Sequence, residues 1–473
     1  MNRPNLKYSL FRLFFKWMVL TFFLFLNEIG IAGQLSPYST KELDELEKEF
    51  IQLINRSESV ERTPLANQYI NHIGEKLAVA GAMKSPTFFI VKSKEINAFA
   101  GPGGYIGINT QLILTTTNES ELAAVMAHEL AHVRLHHLYS MIDHQKQMRI
   151  PMLASLLASA ALGALNPAVG MGAMMASLSG FNQDAINFTR AKEKEADRIG
   201  IDMLSKAGFN PKSMASFFKK MQENMRYYYT DNVPAILRTH PLDEERIAEA
   251  ENRISRLPPA KPTDSLNYFL FKELIRVSVT AESKPLLDYY AHQCQKKNNM
   301  APCEFGYGLA LNNANQYQAG LAHLYPLLAK DPDNLYYQLA VAQAETGLNQ
   351  HALAIKRLSD LHQNYPENYA VLMGYAQGLL AANQTEKATS ILLKGSRLFK
   401  NDLSLCRELA RSQAKSNKKS YAYFTQAQCL MLEGQARAAV AQLKIAKDLA
   451  KNDAYLTARI TAKIEEIKWM TAQ

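Results

Sequence analysis

A 34-residue period in the C-terminal half constrains the fold of this 473-residue chain more than any other feature. Asn334, Asn368 and Asp402 follow one another at this step. Small residues keep the same step at two further positions, which are Gly308, Ala342 and Ala376 at one and Gly320, Ala354 and Ala388 at the other. Because small side chains let paired helices pack closely, the period predicts a stack of helical hairpins.

These units have the tetratricopeptide pattern, and Pro332 and Pro366 end successive units. Beyond Asp402 the register slips, since residues 421–453 resemble another unit that is displaced by about half a repeat. Residues 454–473, ending near Trp469, are expected to form a capping helix. We therefore expect an α-solenoid over residues 265–473, whose concave surface holds peptides or partner proteins and performs no chemistry itself.

The candidate chemistry lies in the N-terminal half, in a run of residues 120–137 that is predicted to be helical. It contains His128-Glu-Leu-Ala-His132, and residues 118–121 ahead of it have the form of a capping box. Histidines four apart lie on one face of a helix, so both imidazoles can reach one Zn²⁺. Glu129 can then take a proton from a metal-bound water. The alternative is an ordinary core helix with buried histidines.

A zinc site needs a third protein ligand. On a rigid helix His136 would lie about 12 Å from the first histidine of the motif, too far to share one ion. We expect His136 and His137 to be solvated or to contact the ligands from outside. A second predicted helix carries Glu193 and Asp197, of which Glu193 could bind the metal and Asp197 could orient a ligating histidine. The alternative is a solvated, charged helix face.

Four motifs occur here in the order that is typical of a known family. They are His128-Glu-x-x-His132, Arg190-x-x-Glu193-x-x-Ala196-Asp197, the segment 97–107, and Arg238-Thr-His-Pro241 followed by Arg246. Together they resemble the zinc peptidases that include the CAAX prenyl proteases and the HtpX and Oma membrane proteases. The export signal described below and the repeats narrow this resemblance to the BepA-like periplasmic proteases. One departure is Thr189, where Ser is common.

The resemblance implies a zincin-type metalloprotease domain over residues 33–256, helical with a small β-sheet or hairpin, and a linker at 257–264 before the solenoid. It implies one zinc ion per chain on His128, His132 and Glu193, with Glu129 as general base. It further implies a metalloendopeptidase that degrades misfolded or stalled outer-membrane proteins. By this resemblance, the repeats would bind the outer-membrane assembly machinery. Chaperone-like help for outer-membrane proteins would be a second activity. Two alternatives stay open, a periplasmic chaperone with repressed proteolysis and a protease anchored in the inner membrane.

Two later residues are candidates for the active site through this resemblance. His240 could stabilise the oxyanion of the tetrahedral intermediate, or fill the fourth position of zinc and hold the enzyme latent. A satisfied surface histidine is the alternative. Arg246 could assist the oxyanion or form a structural ion pair.

Residues 41–81 are predicted to be mostly helical, and residues 88–114 to form strands and turns, with strands at 88–91 and 111–114. The cluster at residues 101–104 marks a tight turn. A strand beside the zinc helix can pair with an extended substrate by main-chain hydrogen bonds. The candidate substrate-strand residues are Asn97, Gly103, Gly104 and Tyr105, and the alternative is a plain hairpin turn.

The N-terminus is predicted to be a signal peptide, residues 1–32. A basic stretch precedes the apolar residues 17–26, which are too few to span a bilayer, and small residues favour a cut after Ala32. An uncleaved anchor is the alternative, because residues 10–15 lengthen the apolar region. Either way the body is exported, and we expect it in the periplasm.

Charge and cysteine content narrow the partners and the compartment. The formal net charge is +9, of which +3 belongs to residues 1–32 and +6 to the rest. This mild positive charge is compatible with contact to anionic membrane surfaces or acidic partners. It does not indicate nucleic-acid binding, because the sequence has no dense run of basic residues interleaved with aromatics. All cysteines lie in the C-terminal half, with Cys294–Cys303 and Cys406–Cys429 as nearest pairings. We expect at least one disulfide, while the connectivity stays open and four buried thiols are the alternative.

Residues 150–181 are almost wholly apolar or small and are interrupted by Asn166-Pro167. This break argues against a simple transmembrane span. A buried helical pair, a mobile lid over the zinc cleft and a hairpin that touches the membrane from outside are the three alternatives.

Overall fold

The computed structural model describes residues 40–144, 183–227, 234–258, 265–294 and 300–472. The predicted signal peptide, the segment 150–181 and most of the predicted linker lie outside these ranges. In the ranges described, no helix is both long enough and apolar enough to cross a membrane.

The N-terminal half of the chain is mainly helical and contains one small sheet, as predicted. Its strands are β1 (Val60–Glu61), β2 (Phe88–Val91), β3 (Ala98–Ala100) and β4 (Ile106–Asn109). Its described helices are α1 (Thr40–Arg56), α2 (Pro64–Ala80), α3 (Thr110–Thr115), α4 (Glu119–Arg134), α5 (His137–His144), α6 (Gln183–Lys206), α7 (Lys212–Tyr227), α8 (Ala235–Thr239) and α9 (Glu244–Ser255).

The sheet has the strand order β1-β2-β4-β3, with β2 and β4 parallel and the outer pairs antiparallel. Strands β3 and β4 form a hairpin in which Phe99 is the partner of Gly107. Gly103 and Gly104 in its turn have φ of 68° and 80°, a conformation that glycine adopts without strain. The predicted tight turn is therefore confirmed, and it leaves β3 at one edge of the sheet.

The predicted strand at residues 111–114 is wrong, because these residues belong to helix α3. Leu112 and Ile113 are both fully buried, whereas adjacent residues of a strand face opposite sides of the sheet. Thr116 N–H donates to Leu112 O and so closes the last helical turn. A short apolar run has no period that separates a strand from a buried helix.

The predicted helix at residues 120–137 is broken, and this is a second correction. Helix α4 begins after Asn118, whose side chain accepts a hydrogen bond from Glu121 N–H, and it ends at Arg134. His136 has φ of 53°, and a new helix starts at His137. The sequence contains no Gly or Pro here to mark the break, although His is one of the residues that tolerate this left-handed conformation.

The C-terminal half is a succession of helical hairpins, as predicted for an α-solenoid. Its described helices are α10 (Leu266–Val279), α11 (Ser283–Gln293), α12 (Met300–Asn313), α13 (Tyr317–Lys330), α14 (Leu335–Gly347), α15 (His351–Asn364), α16 (Tyr369–Ala381), α17 (Thr385–Leu398), α18 (Leu403–Lys415), α19 (Lys419–Leu432), α20 (Ala436–Leu449) and α21 (Ala454–Ala472).

Polar residues at helix starts account for the period of the array. Asn334, Asn368 and Asp402 are the N-caps of α14, α16 and α18, and each side chain accepts a hydrogen bond from a backbone N–H of the first turn. The hairpin turns contain a left-handed residue at every period, namely Asn315, Asn349, Asn383 and Asn417. Gly434 takes this conformation only half a period later, which confirms the predicted slip.

One hydrophobic core runs from the sheet into the first repeats. It contains Ile73 of α2, Ile106 of β4, Leu122 of α4, Phe271 of α10 and Tyr337 of α14. The later repeats also contact the N-terminal half of the chain. Asn55 donates a hydrogen bond to Leu432 O, and Gln68 accepts one from Ala370 N–H. The array therefore packs along the N-terminal half and does not extend away from it.

Two disulfides, Cys294–Cys303 and Cys406–Cys429, lie in the array. The first joins the end of α11 to α12, and the second joins α18 to α19. The expected disulfide bonding is thus confirmed, with the nearest cysteines paired.

Candidate metal centre

Helix α4 presents His128 and His132 on one face, as the four-residue spacing requires. Their Nε2 atoms lie 3.0 Å apart. Residues 121–131 of α4 are all buried, because this part of the helix crosses the core. Both rings are therefore held by packing before any ligand binds.

Helix α6 packs closely along α4 and brings Glu193 to the histidines. A side chain on Gly200 of α6 would place its Cβ 3.2 Å from the backbone of Ala127 and His128, so only glycine allows this approach without a shift. Glu193 Oε2 lies 3.3 Å from His128 Nε2, and Glu193 Oε1 lies 3.4 Å from His132 Nε2. Glu193 is only 2% exposed.

His240, which follows α8, completes a cluster of four candidate ligands. Its Nδ1 lies 3.3 Å from His128 Nε2 and 3.0 Å from Glu193 Oε1. One ligand atom from each of His128, His132, Glu193 and His240 lies within 4.8 Å of the others. A tetrahedral zinc with bonds near 2.0 Å separates its ligand atoms by roughly 3.3 Å, so these residues fit such an ion.

Glu129 lies beside this cluster without belonging to it. The residue is only 1% exposed, and its Oε1 makes no hydrogen bond to any described residue. The nearest ionisable contact is His240 Nε2, at 3.5 Å. A buried carboxylate oxygen without a hydrogen bond can accept a proton from a substrate or a water at the centre.

Asp197 and Arg246 support the cluster from behind. Asp197 Oδ1 lies 2.9 Å from His128 Nδ1, the ring nitrogen that faces away from the cluster. Arg246 donates two hydrogen bonds to the Asp197 carboxylate, at 2.8 and 2.9 Å, and its Nη1 lies 3.1 Å from Glu193 Oε2. Arg246 is thus placed in a buried ion pair, the second of the two roles considered from sequence.

His136 and His137 differ in their surroundings. His136 is exposed, whereas His137 is buried, with Nδ1 3.0 Å from His132 Nδ1 and Nε2 3.4 Å from Glu195 Oε2. The two residues thus take the two roles that the sequence left open, His136 in solvent and His137 in contact with a ligand from outside, but a continuous helix could not have predicted which ring makes the contact. The only signal was the presence of a third and a fourth histidine directly after the motif.

The electrostatics of the cluster favour the exchange of a proton for a cation. Burial alone would lower the pKa of His128, but Asp197 and Glu193 raise it to about 10. Burial and the charge on His128 hold the pKa of His132 well below its usual value. Burial opposes ionisation of Glu193, yet His240 and His128 keep its pKa well below the usual range. A divalent cation can replace the proton that these carboxylates attract.

The four substrate-strand candidates are not all near the cluster. Asn97 directly precedes β3, which lies against α4, and its carbonyl accepts from Asn109 N–H. Gly103 and Gly104 form the hairpin turn. The Tyr105 ring packs edge-on against Phe50 of α1 and lines a cleft of about 870 Å³ between the sheet and the repeats. The structure therefore places Asn97 at the start of the strand that lies against the motif helix, and Tyr105 in a cleft that contains none of the cluster residues.

Two histidines and a glutamate that converge from two helices, with a second glutamate beside the first histidine, define a metallopeptidase site. The model of peptidase family M48 matches residues 64–254. The chain is 31% identical over 425 residues to the beta-barrel assembly-enhancing protease of Escherichia coli (strain K12), covering 89% of this chain and 86% of that protein.

Two further relatives agree. The beta-barrel assembly-enhancing protease of Yersinia pestis is 30% identical over 409 residues, which cover 86% of this chain and 84% of the relative. The metalloprotease LoiP of Escherichia coli (strain K12) is 26% identical over 227 residues, which cover 47% of this chain and 79% of LoiP. The chain therefore belongs to the beta-barrel assembly-enhancing protease group of peptidase family M48. This confirms the resemblance seen in the sequence and the metalloendopeptidase activity that it implied.

Proposed function

We propose that this metalloendopeptidase uses one zinc ion and acts in the periplasm, where it degrades misfolded or stalled outer-membrane proteins and assists the assembly of others. The observation that carries the proposal is the convergence of His128, His132 and Glu193 beside the buried carboxylate of Glu129. Imidazole and carboxylate ligands with tetrahedral separations favour zinc over harder divalent cations. Bound zinc lowers the pKa of water and polarises the peptide carbonyl.

The chain's own residues supply proton transfer and orientation. Glu129 takes a proton from the attacking water and returns it to the leaving amine. The Asp197 carboxylate lies 2.9 Å from His128 Nδ1, and this charge contact favours the ring orientation in which Nε2 faces the cluster. Arg246 contacts both the Asp197 and the Glu193 carboxylates with its buried guanidinium. Burial alone would raise the pKa of Asp197, but His128 and Arg246 lower it.

His240 is proposed as the fourth ligand of a latent state. Its Nδ1 belongs to the same cluster as the three ligand residues. The segment ahead of it is also fixed, since Ile236 N–H of α8 donates to Ile96 O, beside the start of β3. A substrate that reaches the metal must displace His240, after which this residue is free to stabilise the oxyanion, the second role considered for it.

The edge of β3 is proposed to align the substrate. Asn97 O accepts from Asn109 N–H, and Gly101 N–H donates to Tyr105 O, so the odd-numbered residues of this strand bond to β4. The main-chain groups of Ala98 and Ala100 therefore face the outer edge, where the sheet has no further strand among the described residues. An extended chain can pair there with little sequence preference, which suits unfolded substrates.

The remaining assignments follow from domain organisation. We propose a signal peptide at residues 1–32, a protease domain at 33–256, a linker at 257–264 and a repeat domain of the tetratricopeptide type at 265–473. The two disulfides support an oxidising compartment such as the periplasm. The name of the relatives supports a role in outer-membrane assembly, with the repeats contacting the substrate or the assembly machinery. Peripheral membrane contact through residues 150–181 belongs to the same proposal.

Cleavage of casein by the purified mature chain tests this function. Glu129→Gln is expected to lower the cleavage rate by about 10²-fold or more while zinc content and melting temperature stay unchanged. Glu75→Gln, at an exposed position of α2, is the matched control and is expected to cleave at the normal rate. A Glu129→Gln variant that cleaves as fast as the control would exclude this mechanism. A wild-type chain that binds casein without cleaving it would favour the chaperone alternative.

A further inference from the structure

The helix that carries the motif ends two residues after its second histidine. On a continuous helix, residue 137 would lie about 140° around the axis from His132, and its side chain would point away. Instead α4 ends at Arg134, and the left-handed His136 redirects the backbone. The His137 ring consequently lies beside that of His132, with ring centroids 4.9 Å apart.

The hydrogen positions on these two rings follow from their neighbours. His132 directs Nε2 at the cluster, 3.0 Å from His128 Nε2 and 3.4 Å from Glu193 Oε1. An imidazole that binds a metal through Nε2 carries its proton on Nδ1. The neighbour of that Nδ1 is His137 Nδ1, at 3.0 Å, which must then be without a proton in order to accept. The proton of His137 is left on Nε2, 3.4 Å from Glu195 Oε2.

We propose that His137 is a positioning residue of the metal centre, whose neutral ring accepts a hydrogen bond from His132 Nδ1–H. This inference rests on the proposed metal and on the ligand role of His132. The hydrogen bond fixes the tautomer and the orientation of His132, so that Nε2 is directed at the metal without a search among ring positions. Glu195 in turn selects the tautomer of His137.

The two ligand histidines are thereby supported in different ways. A carboxylate, Asp197, lies 2.9 Å from Nδ1 of His128, whereas a neutral imidazole accepts from Nδ1 of His132. A second carboxylate behind His132 would add negative charge to a pocket that already buries Glu193, Glu129 and Asp197. The neutral acceptor provides orientation without that additional charge.

His137 acts through His132 and does not bind the ion itself. Its Nδ1 contacts the side of the His132 ring that faces away from the cluster, and His137 is not among the residues whose ligand atoms converge. Its contribution should therefore be measured as zinc affinity and as the proton position on the ring, and both can be observed without any substrate.

Zinc affinity of three variants of the mature full chain tests the proposal, by competition with a chromophoric chelator. His137→Phe keeps the ring shape but removes the acceptor, and is expected to raise the zinc Kd about 10- to 100-fold. His137→Asn places an amide oxygen where Nδ1 lies, and is expected to bind zinc within about threefold of the wild type. His136→Asn, which suits the left-handed backbone at an exposed position, is the control and should leave the Kd unchanged.

The proposal would be overturned if His137→Asn and His137→Phe weakened zinc binding equally. It would also be overturned if His137→Phe did not weaken zinc binding at all. Nitrogen-15 NMR of the zinc-loaded wild type keeps it testable if His137→Phe does not fold. The nitrogen-15 signals that are absent from the spectrum of His137→Asn are those of the His137 ring. Their chemical shifts in the wild type should be those of a neutral ring with its proton on Nε2. A proton on Nδ1, or on both nitrogens, would contradict the inference. A wild-type chain that binds no zinc would instead refute the underlying metal assignment.

Discussion

The metal centre and the repeat array bury very different side chains, although one hydrophobic core extends from the sheet into the first repeats. Around the metal centre Glu193, Asp197 and Arg246 are almost fully enclosed, and each depends on the others for its charge. The array buries mostly small and apolar residues at equivalent positions, such as Ala342 and Ala376. Stability in the array is thus spread over many similar apolar contacts. The metal centre instead depends on a few buried ion pairs, in which removal of one partner leaves the charge of the other uncompensated.

The array also contains a buried carboxylate, which allows a direct comparison. Glu345 is enclosed and accepts two hydrogen bonds from Arg357. The Arg357 side chain is 22% exposed, whereas that of Arg246 is 1% exposed. Water can therefore reach the partner of Glu345 but not the partner of Asp197 and Glu193.

Removing the two arginines should give the largest difference between the regions. Arg246→Ala is expected to destabilise the fold by about 3–5 kcal/mol, because it leaves two buried carboxylates without their cation. Arg357→Ala is expected to cost about 1–3 kcal/mol, since only one buried carboxylate, Glu345, loses its cation and it still accepts from Tyr325 OH. Urea unfolding of both variants measures these losses. Equal losses would show that enclosure of the ion pair does not distinguish the regions.

Removing the second disulfide should affect the array alone. The loop closed by Cys406–Cys429 spans 23 residues, so chain entropy gives it roughly 3 kcal/mol of stabilisation. The double Ser variant should unfold at lower temperature while keeping its zinc. The matched control replaces Cys294 and Cys303, whose separation of 9 residues predicts a smaller loss. Loss of zinc from the Cys406/Cys429 variant would mean that the distal repeats support the metal centre.

The ion pair between Glu121 and Lys220 is a further contact of the N-terminal half. The pH dependence of its contribution to stability separates charge pairing from packing. Burial alone would raise the pKa of Glu121, but Lys220 and Thr117 N–H lower it. Because the pKa in the folded state lies below that in the unfolded state, the stabilisation is present at neutral pH and lost as pH falls through the folded-state pKa. Glu121→Gln should therefore cost about 1–3 kcal/mol at neutral pH and little in acid.

Urea unfolding of wild type and Glu121→Gln at several pH values measures this difference. Exposed Glu75→Gln serves as the control and should show no such trend. A Glu121→Gln deficit that is the same in acid and at neutral pH would assign the contact to packing instead of charge.

The sequence predicts the array better than the metal centre because the array repeats itself. Asn334, Asn368 and Asp402 are each caps of equivalent helices, so one pattern is tested several times along the chain. The spacing of His128 and His132 likewise follows from local helix geometry. Glu193 comes from another helix, and no spacing rule joins it to α4. Its sequence context left a solvated helix face as the alternative, and the resemblance to a family decided in favour of a ligand.

Two errors have a common physical origin. The segment 111–114 is too short for its apolar pattern to separate strand from helix, and its surroundings in the core decide in favour of α3. The break before His137 has no glycine or proline to announce it, and it is fixed by contacts of the His137 ring with His132 and Glu195. In both cases tertiary packing overrides the local pattern.

Metal analysis of the purified mature chain beside two single variants tests whether Glu193 completes the zinc site. We predict one zinc per chain in the wild type and in Glu129→Gln, because Glu129 lies next to the cluster without belonging to it. Glu193→Ala should lose most of its zinc, because this substitution removes the one negatively charged ligand of the cluster and leaves three neutral imidazoles. Full zinc occupancy in Glu193→Ala would refute the role of Glu193 as a ligand.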